Sequence, residues 1–153
     1  MLPRNALPPD RAHLATEQRH PRAETLTRLP TAELLAAFHA EDRRAADAVA
    51  SAHAALAAFI DAVLPGFARG GRLITLGAGT SGRLAVLDAS EMPPTYQVEP
   101  GRFVGIIAGG DASLRRSSEG AEDDAQGSLP VLRRLPTSPD DAVLSIAREG
   151  TTP

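Results

Sequence analysis

No cysteine, lysine or tryptophan occurs in the 153 residues. Without cysteine there is no thiolate nucleophile, no disulfide, no thiolate zinc site and no iron–sulfur cluster. Without lysine there is no Schiff base and no Walker A lysine, so all 16 basic residues are arginine. Aromatic residues amount to only 3%, which leaves little to stack on nucleic acid bases, and the net charge of −3 offers no global attraction to an anionic polymer or membrane. A run of about 18 apolar residues, the length that spans a bilayer, is also missing. Met1 to Asp10 carry Pro3, Pro8 and Pro9 in place of an apolar h-region, so the expectation is a cytoplasmic chain. The chemistry left is that of carboxylates, hydroxyls, arginine, four histidines and the backbone.

What is present has the makeup of a folded domain, with 42% hydrophobic and 23% charged residues. Residues 1–30 are rich in proline and arginine and lack a sustained period, which reads as an extended N-terminal arm. Residues 31–70 read as helical. Thr31 is the expected N-cap with Glu33 in the first turn, and an alanine-dense helix is expected from Glu41 to about Arg69. Val49, Leu56, Phe59, Ile60, Val63, Leu64 and Phe67 make one apolar stripe along it, Pro65 should kink or end it, and Gly70-Gly71 stops it. His39 and His53 lie fourteen residues apart with no second ligand at i+3 or i+4, so they read as surface histidines and no metal site is expected.

From residue 71 the period changes. Arg72–Leu76, Phe103–Ala108 and Ala142–Ala147 are short apolar runs that suggest buried parallel strands. Helices are expected at Ser81–Met92, closed by Pro93-Pro94, at Ala112–Gln126 and at Val131–Leu135. The predicted fold class is therefore α/β, with N-terminal helices followed by a doubly wound parallel sheet.

The segment Gly77-Ala78-Gly79-Thr80-Ser81-Gly82-Arg83 directly follows the first strand and opens a helix. Glycines let backbone amides approach an anion, the helix N-terminus adds its positive dipole end, and Thr80 and Ser81 add hydroxyl donors. The pattern also matches G-x-G-x-x-G. A dinucleotide site, however, wants an acid at the end of the second strand about 20 residues on. Glu99 has the spacing but precedes that strand, and Asp111 has the place but lies too far along. A compact phosphate fits better, with Gly79, Thr80, Ser81 and Gly82 as its binding residues and Arg83 as a source of charge. Glu91 falls near the C-terminal, negative end of the same helix, an environment suited to a proton donor. Glu119, Glu122, Asp123 and Asp124 form an acidic cluster after the second strand; spacing alone does not bring them to Glu91.

These blocks occur in one order: Thr16–Arg19, Leu76–Leu84, Val86–Glu91 with Pro93-Pro94-Thr95, Gly105–Gly110 and Glu119–Asp123. Together they closely resemble the N-acetylmuramic acid 6-phosphate etherases, whose domain type is the sugar isomerase (SIS) domain. The resemblance implies a cytoplasmic, homodimeric lyase. It would cleave the D-lactyl ether of N-acetylmuramic acid 6-phosphate to N-acetylglucosamine 6-phosphate and D-lactate, with no metal and no cofactor. On the matching positions, Glu91 becomes the proton donor and Glu122 the second catalytic glutamate, with Thr80 and Ser81 in the sugar-phosphate loop. The helical segment 31–70 becomes the expected dimer contact. Residues 71–153 become a partial SIS domain with three of about five strands, since family members are about twice as long. Met92 replaces the family's usual cysteine and His20 its asparagine. In Ala147–Pro153, Glu149 replaces a serine of the second phosphate loop and Thr151 an arginine. The alternative function is a non-catalytic sugar-phosphate-binding module or an inactive truncated fragment.

Overall fold

The computed structural model describes residues 18–116 and 129–147. The chain divides into two compact units, 1–54 and 55–153. In the first, α1 (Ala23–Leu26) precedes α2 (Thr31–Ala50). Thr31 is the first helical residue rather than the N-cap. The Pro30 carbonyl accepts the Leu34 N–H at 2.9 Å, which makes Pro30 the N-cap and leaves the Thr31 hydroxyl without a capping role. Among the described residues Ala37 is the buried apolar residue of this unit, while Leu35 and Phe38 remain exposed.

The single alanine-dense helix expected from Glu41 to Arg69 is instead two. At Ser51 the side-chain hydroxyl donates to the Ala48 carbonyl at 2.7 Å, and the Ser51 and Ala52 amides close i→i−3 bonds. A serine that satisfies helix carbonyls locally competes with helix propagation, so α2 ends there. The next helix, α3 (His53–Ala68), enters the second unit at Ala55 and carries Pro65 inside it. Proline near the end of α3 removes one donor and leaves the last turn intact. The expected apolar stripe splits along α3. Phe59, Val63 and Phe67 are half-buried, while Leu56, Ile60 and Leu64 form an exposed row at a spacing of four.

The second unit is an α/β layer. Three strands, β1 (Leu73–Gly77), β2 (Phe103–Ile107) and β3 (Ala142–Ile146), pair in parallel in the order β2-β1-β3. Between β1 and β2 runs α4 (Gly79–Tyr96), which packs on those two strands. Among the described residues of the β2-to-β3 crossover are the short helices α5 (Ala112–Arg115) and α6 (Leu129–Arg134). Right-handed crossovers running in opposite directions from the centre lie on opposite faces of a sheet. Ile74 is fully buried at the centre, with Ala85 of α4 and Ile106, Ile107 and Ala108 around it. Gly105 is where α4 crosses β2 most closely: a Cβ there would lie 2.5 Å from the Val86 Cα.

Arginine clamps the amino-end edge of this sheet. Arg72 donates to Asp141 through its backbone N–H (2.8 Å), Nε (3.2 Å) and guanidinium (2.7 Å), tying the start of β1 to the start of β3. The Ser138 N–H adds a bond to the same carboxylate at 2.9 Å. The Arg72 hydrogen bonds, with that amide, hold the Asp141 carboxyl well below the usual carboxylate range, and Asp141 in turn raises Arg72. Arg102 lies 4.0 Å over the Phe67 ring and donates to the Gly71 and Phe67 carbonyls, and Arg69 pairs with Asp140 at 2.7 Å. With the amino-end edge used for anchoring, the carboxyl ends of the strands are left to carry a site.

Candidate functional site

The chain winds outward from β1 in both directions, to β2 on one side and to β3 on the other. At such a reversal the loops after the two central strands separate and leave a crevice at their carboxyl ends, the usual ligand position in open α/β sheets. The loop after β1 is the glycine-rich segment. Ala78 is extended (φ −107°, ψ 158°) and Gly79 takes φ 52°, a sharp turn from strand into helix. Helix α4 therefore begins at Gly79, two residues before the expected start, because the glycine turn itself is taken up into the first helical turn. Gly82 is buried against the end of β1, where a Cβ would come within 2.4 Å of the Gly77 carbonyl oxygen. This close approach brings the first turn of α4 down onto the strand end.

Ala78 has no side chain able to cap, and no side-chain cap is made. The first-turn amides thus lack a protein acceptor of that kind and face the crevice end of the sheet with the positive end of an 18-residue helix behind them. Thr80 is exposed and Ser81 half-buried in the same turn. Gly79, Thr80, Ser81 and Gly82 therefore lie together in the first turn of α4. Arg83 is placed differently from the sequence expectation: its guanidinium donates to the Leu114 and Arg116 carbonyls at 3.3 and 3.4 Å, at the end of α5. It ties α4 to α5 through those carbonyls.

Glu91 is eleven residues beyond Thr80 on α4. At 1.5 Å per residue the two are about 16 Å apart along the axis. The helix also continues through Pro93-Pro94 to Tyr96, beyond the expected stop. Prolines in a last turn forfeit donors but keep a helical φ, and the actual end is Gln97, left-handed at φ 55°. Glu91 is exposed and lies on the wall of a groove of about 550 Å³. Its floor is Leu73 and Thr75 of β1 with Leu144 and Ile146 of β3, and its α4 wall also carries Leu84, Leu87 and Asp88. This groove escaped sequence reading, although the alternation of Leu73, Thr75, Leu144 and Ile146 places them on one sheet face.

Glu122, with Glu119, Asp123 and Asp124, lies outside the described residues, as do Arg148, Glu149 and Thr151. His39 and His53 are exposed, and no group of three His, Asp or Glu able to hold a metal occurs among the described residues. No single helix among them is long and apolar enough to cross a membrane.

Residues 55–152 match the family model described as the glucokinase regulatory protein N-terminal SIS domain. Among curated proteins, the N-acetylmuramic acid 6-phosphate etherase of Jannaschia sp. (strain CCS1) is 47% identical over 97% of this chain and 47% of its own length. The etherase of Cutibacterium acnes is 48% identical over 90% of the chain and 45% of its own, and that of Synechococcus sp. (strain CC9902) 49% over 94% and 46%. The chain thus spans about half the length of the curated relatives it matches. With the family model matched over the whole parallel sheet and the glycine loop, this protein belongs to the SIS-domain family and is similar along nearly all of its length to N-acetylmuramic acid 6-phosphate etherases.

Proposed function

We propose that this chain supplies the sugar-phosphate-binding part of an etherase that cleaves the D-lactyl ether of N-acetylmuramic acid 6-phosphate. The observation that carries the reading is the uncapped first turn of α4 at the winding reversal, with Gly79, Thr80, Ser81 and Gly82 gathered in it. A phosphate monoester takes backbone and hydroxyl donors of this kind, and the helix dipole favours its charge. The similarity to etherases supports the identity of the sugar.

The reaction is proton transfer beside a carbonyl. With the sugar ring open, one carboxylate removes the C2 proton next to the C1 aldehyde. The C2–H electrons form a C2=C3 double bond, the C3–O bond breaks, and the departing lactate oxygen takes a proton. Water then adds across the double bond, its hydroxyl to C3 and its proton to C2. We assign proton donation to Glu91 and C2 deprotonation to Glu122, the latter on its motif position alone. Both steps need only carboxyl groups, so the reading assigns no metal and no cofactor. It takes the active form as a cytoplasmic homodimer with the 31–70 segment as one contact; the exposed row Leu56, Ile60 and Leu64 supports such a contact.

D-Lactate release from N-acetylmuramic acid 6-phosphate by the purified chain tests this directly. Release that falls about a hundredfold or more in Glu91→Gln would agree with a general acid. Unchanged turnover in that variant would remove Glu91 from the role. The match to a regulatory protein's domain favours a second reading, a sugar-phosphate-binding module without turnover. No lactate release, combined with a higher melting temperature in sugar phosphate, would select that reading.

A further inference from the structure

Arg83 directly follows the four residues assigned to the phosphate, yet the fold uses it differently. Its half-buried side chain runs from the first turn of α4 to the far end of α5. There Nε donates to the Leu114 carbonyl at 3.3 Å and the guanidinium to the Arg116 carbonyl at 3.4 Å. These partners lie 31 and 33 residues along the chain, so the link is tertiary and not part of a local turn.

The helix it reaches needs such a link. α5 has four residues, and a single turn does not by itself offset the cost of nucleating a helix. At its start Asp111 makes no side-chain capping bond. At its end the chain leaves extended at Arg116 (φ −132°, ψ 138°), without the left-handed residue that closes many helices. The carbonyls at that end accept the Arg83 N–H groups instead. The approach to α5 runs through Gly109 and Gly110, both left-handed at φ 83° and 70°, a turn with no side chains to hold it.

The end of β2 is bound to the same side of the sheet. The Ala108 N–H donates to the Gly77 carbonyl at 3.0 Å. Buried Gly82 lies against Ile107, where a Cβ would come within 2.7 Å of the Ile107 Cγ1. The turn after β1 and the loop after β2 are thus joined by backbone at Gly77, by close packing at Gly82 and by a side chain at Arg83. Of these three, the arginine is the one that reaches past the two glycines to α5.

Resting on the phosphate-site reading above, we infer that Arg83 is a positioning residue. It binds no phosphate itself and holds α5 to the phosphate-binding turn, so a phosphate bound there stabilises α5 through it. The chain that leaves α5 leads in sequence to Glu119 and Glu122, three and six residues after Arg116. Arg83 therefore fixes, relative to the phosphate, the point from which the chain sets out toward the proposed C2 base.

The two roles open to this arginine make different demands. A phosphate ligand needs its charge, whereas a positioning residue needs a fork that spans two carbonyls. Lysine keeps the charge and lacks the planar fork. Arg83→Lys and Arg83→Gln, made in the full chain, are read by amide hydrogen exchange and by titration with inorganic phosphate. In the parent, saturating phosphate should slow exchange at the α5 amides about tenfold. In both variants those amides should exchange about tenfold faster than in the parent and ignore phosphate, while β1 amides, the check on folding, stay as protected as before. The phosphate dissociation constant of Arg83→Lys should stay within about threefold of the parent's. Parent-like, phosphate-responsive exchange at α5 in both variants would overturn the inference. So would phosphate binding weakened about a hundredfold in Arg83→Gln and restored in Arg83→Lys, the mark of a direct ligand. Phosphate that binds the parent without slowing α5 overturns it as well, whether or not the variants fold. Fast α5 exchange in both variants, with no phosphate binding by the parent, keeps the link between α4 and α5 and rejects the phosphate-site reading.

Discussion

At the scale of single residues, two kinds of polar group do different work. Thr80 and Ser81 are held at a helix start with their hydroxyls unclaimed by a capping role. Ser81→Ala is expected to weaken phosphate or sugar-phosphate binding roughly tenfold, the loss of one hydrogen bond to a charged ligand, read by isothermal titration. The Arg72–Asp141 pair is a fastener at the far end of the sheet, with the Asp141 side chain only 4% exposed. Its carboxyl has a depressed pKa in the folded state, so its stabilising contribution is complete above the unfolded value near 3.9 and is lost as pH falls below that. Urea midpoints should therefore drop between about pH 5 and lower pH in the parent chain. In Asp141→Asn they should start lower at pH 7 and lose much of that slope. An Asn variant with the parent's pH profile would show that other groups carry the acid sensitivity.

At the scale of elements, α4 is the pivotal one. Its start, its close approach to β2 and its exposed face each depend on a different feature of one eighteen-residue segment. The approach to β2 rests on Gly105, since a methyl group there would meet α4 backbone at 2.5 Å. Gly105→Ala should cost about 1–3 kcal/mol, as overpacking does, and should be seen as a lower melting temperature with unchanged sheet content. The legibility of the elements varied for physical reasons. Strands showed clearly because buried parallel strands are continuous apolar runs bounded by glycine and polar residues. Helix limits were harder. The end of α2 depends on a Ser51 hydroxyl bond to Ala48, and the survival of α4 past Pro93 depends on where the last turn falls. Neither is a composition effect.

At the scale of the whole molecule, the two units differ in how much they bury. The second unit holds Ile74, Ala85, Ile106, Ile107 and Ala108 in its core, whereas Ala37 is the buried apolar residue of the first among those described. Amide hydrogen exchange should accordingly be slowest in β1, which is paired on both sides, and faster by orders of magnitude in α2. Comparable protection in the two would mean that α2 is covered in solution.

The sequence by itself determined the local chemistry and the kinship. Absent cysteine and lysine leave carboxylates and four histidines as the acid–base groups, and glycines directly after an apolar run mark a tight turn into a helix, because these follow from residue type and short spacing. The motif order identified the family. Only the tertiary structure decided how those groups relate in space. It committed Arg83 to the carbonyls at the end of α5, joined Arg72 to Asp141 across 69 residues, and set Glu91 on a groove about 16 Å from Thr80 along the helix. Such relations depend on strand order and helix direction, which bring together positions far apart in the chain and separate positions that motif spacing groups together.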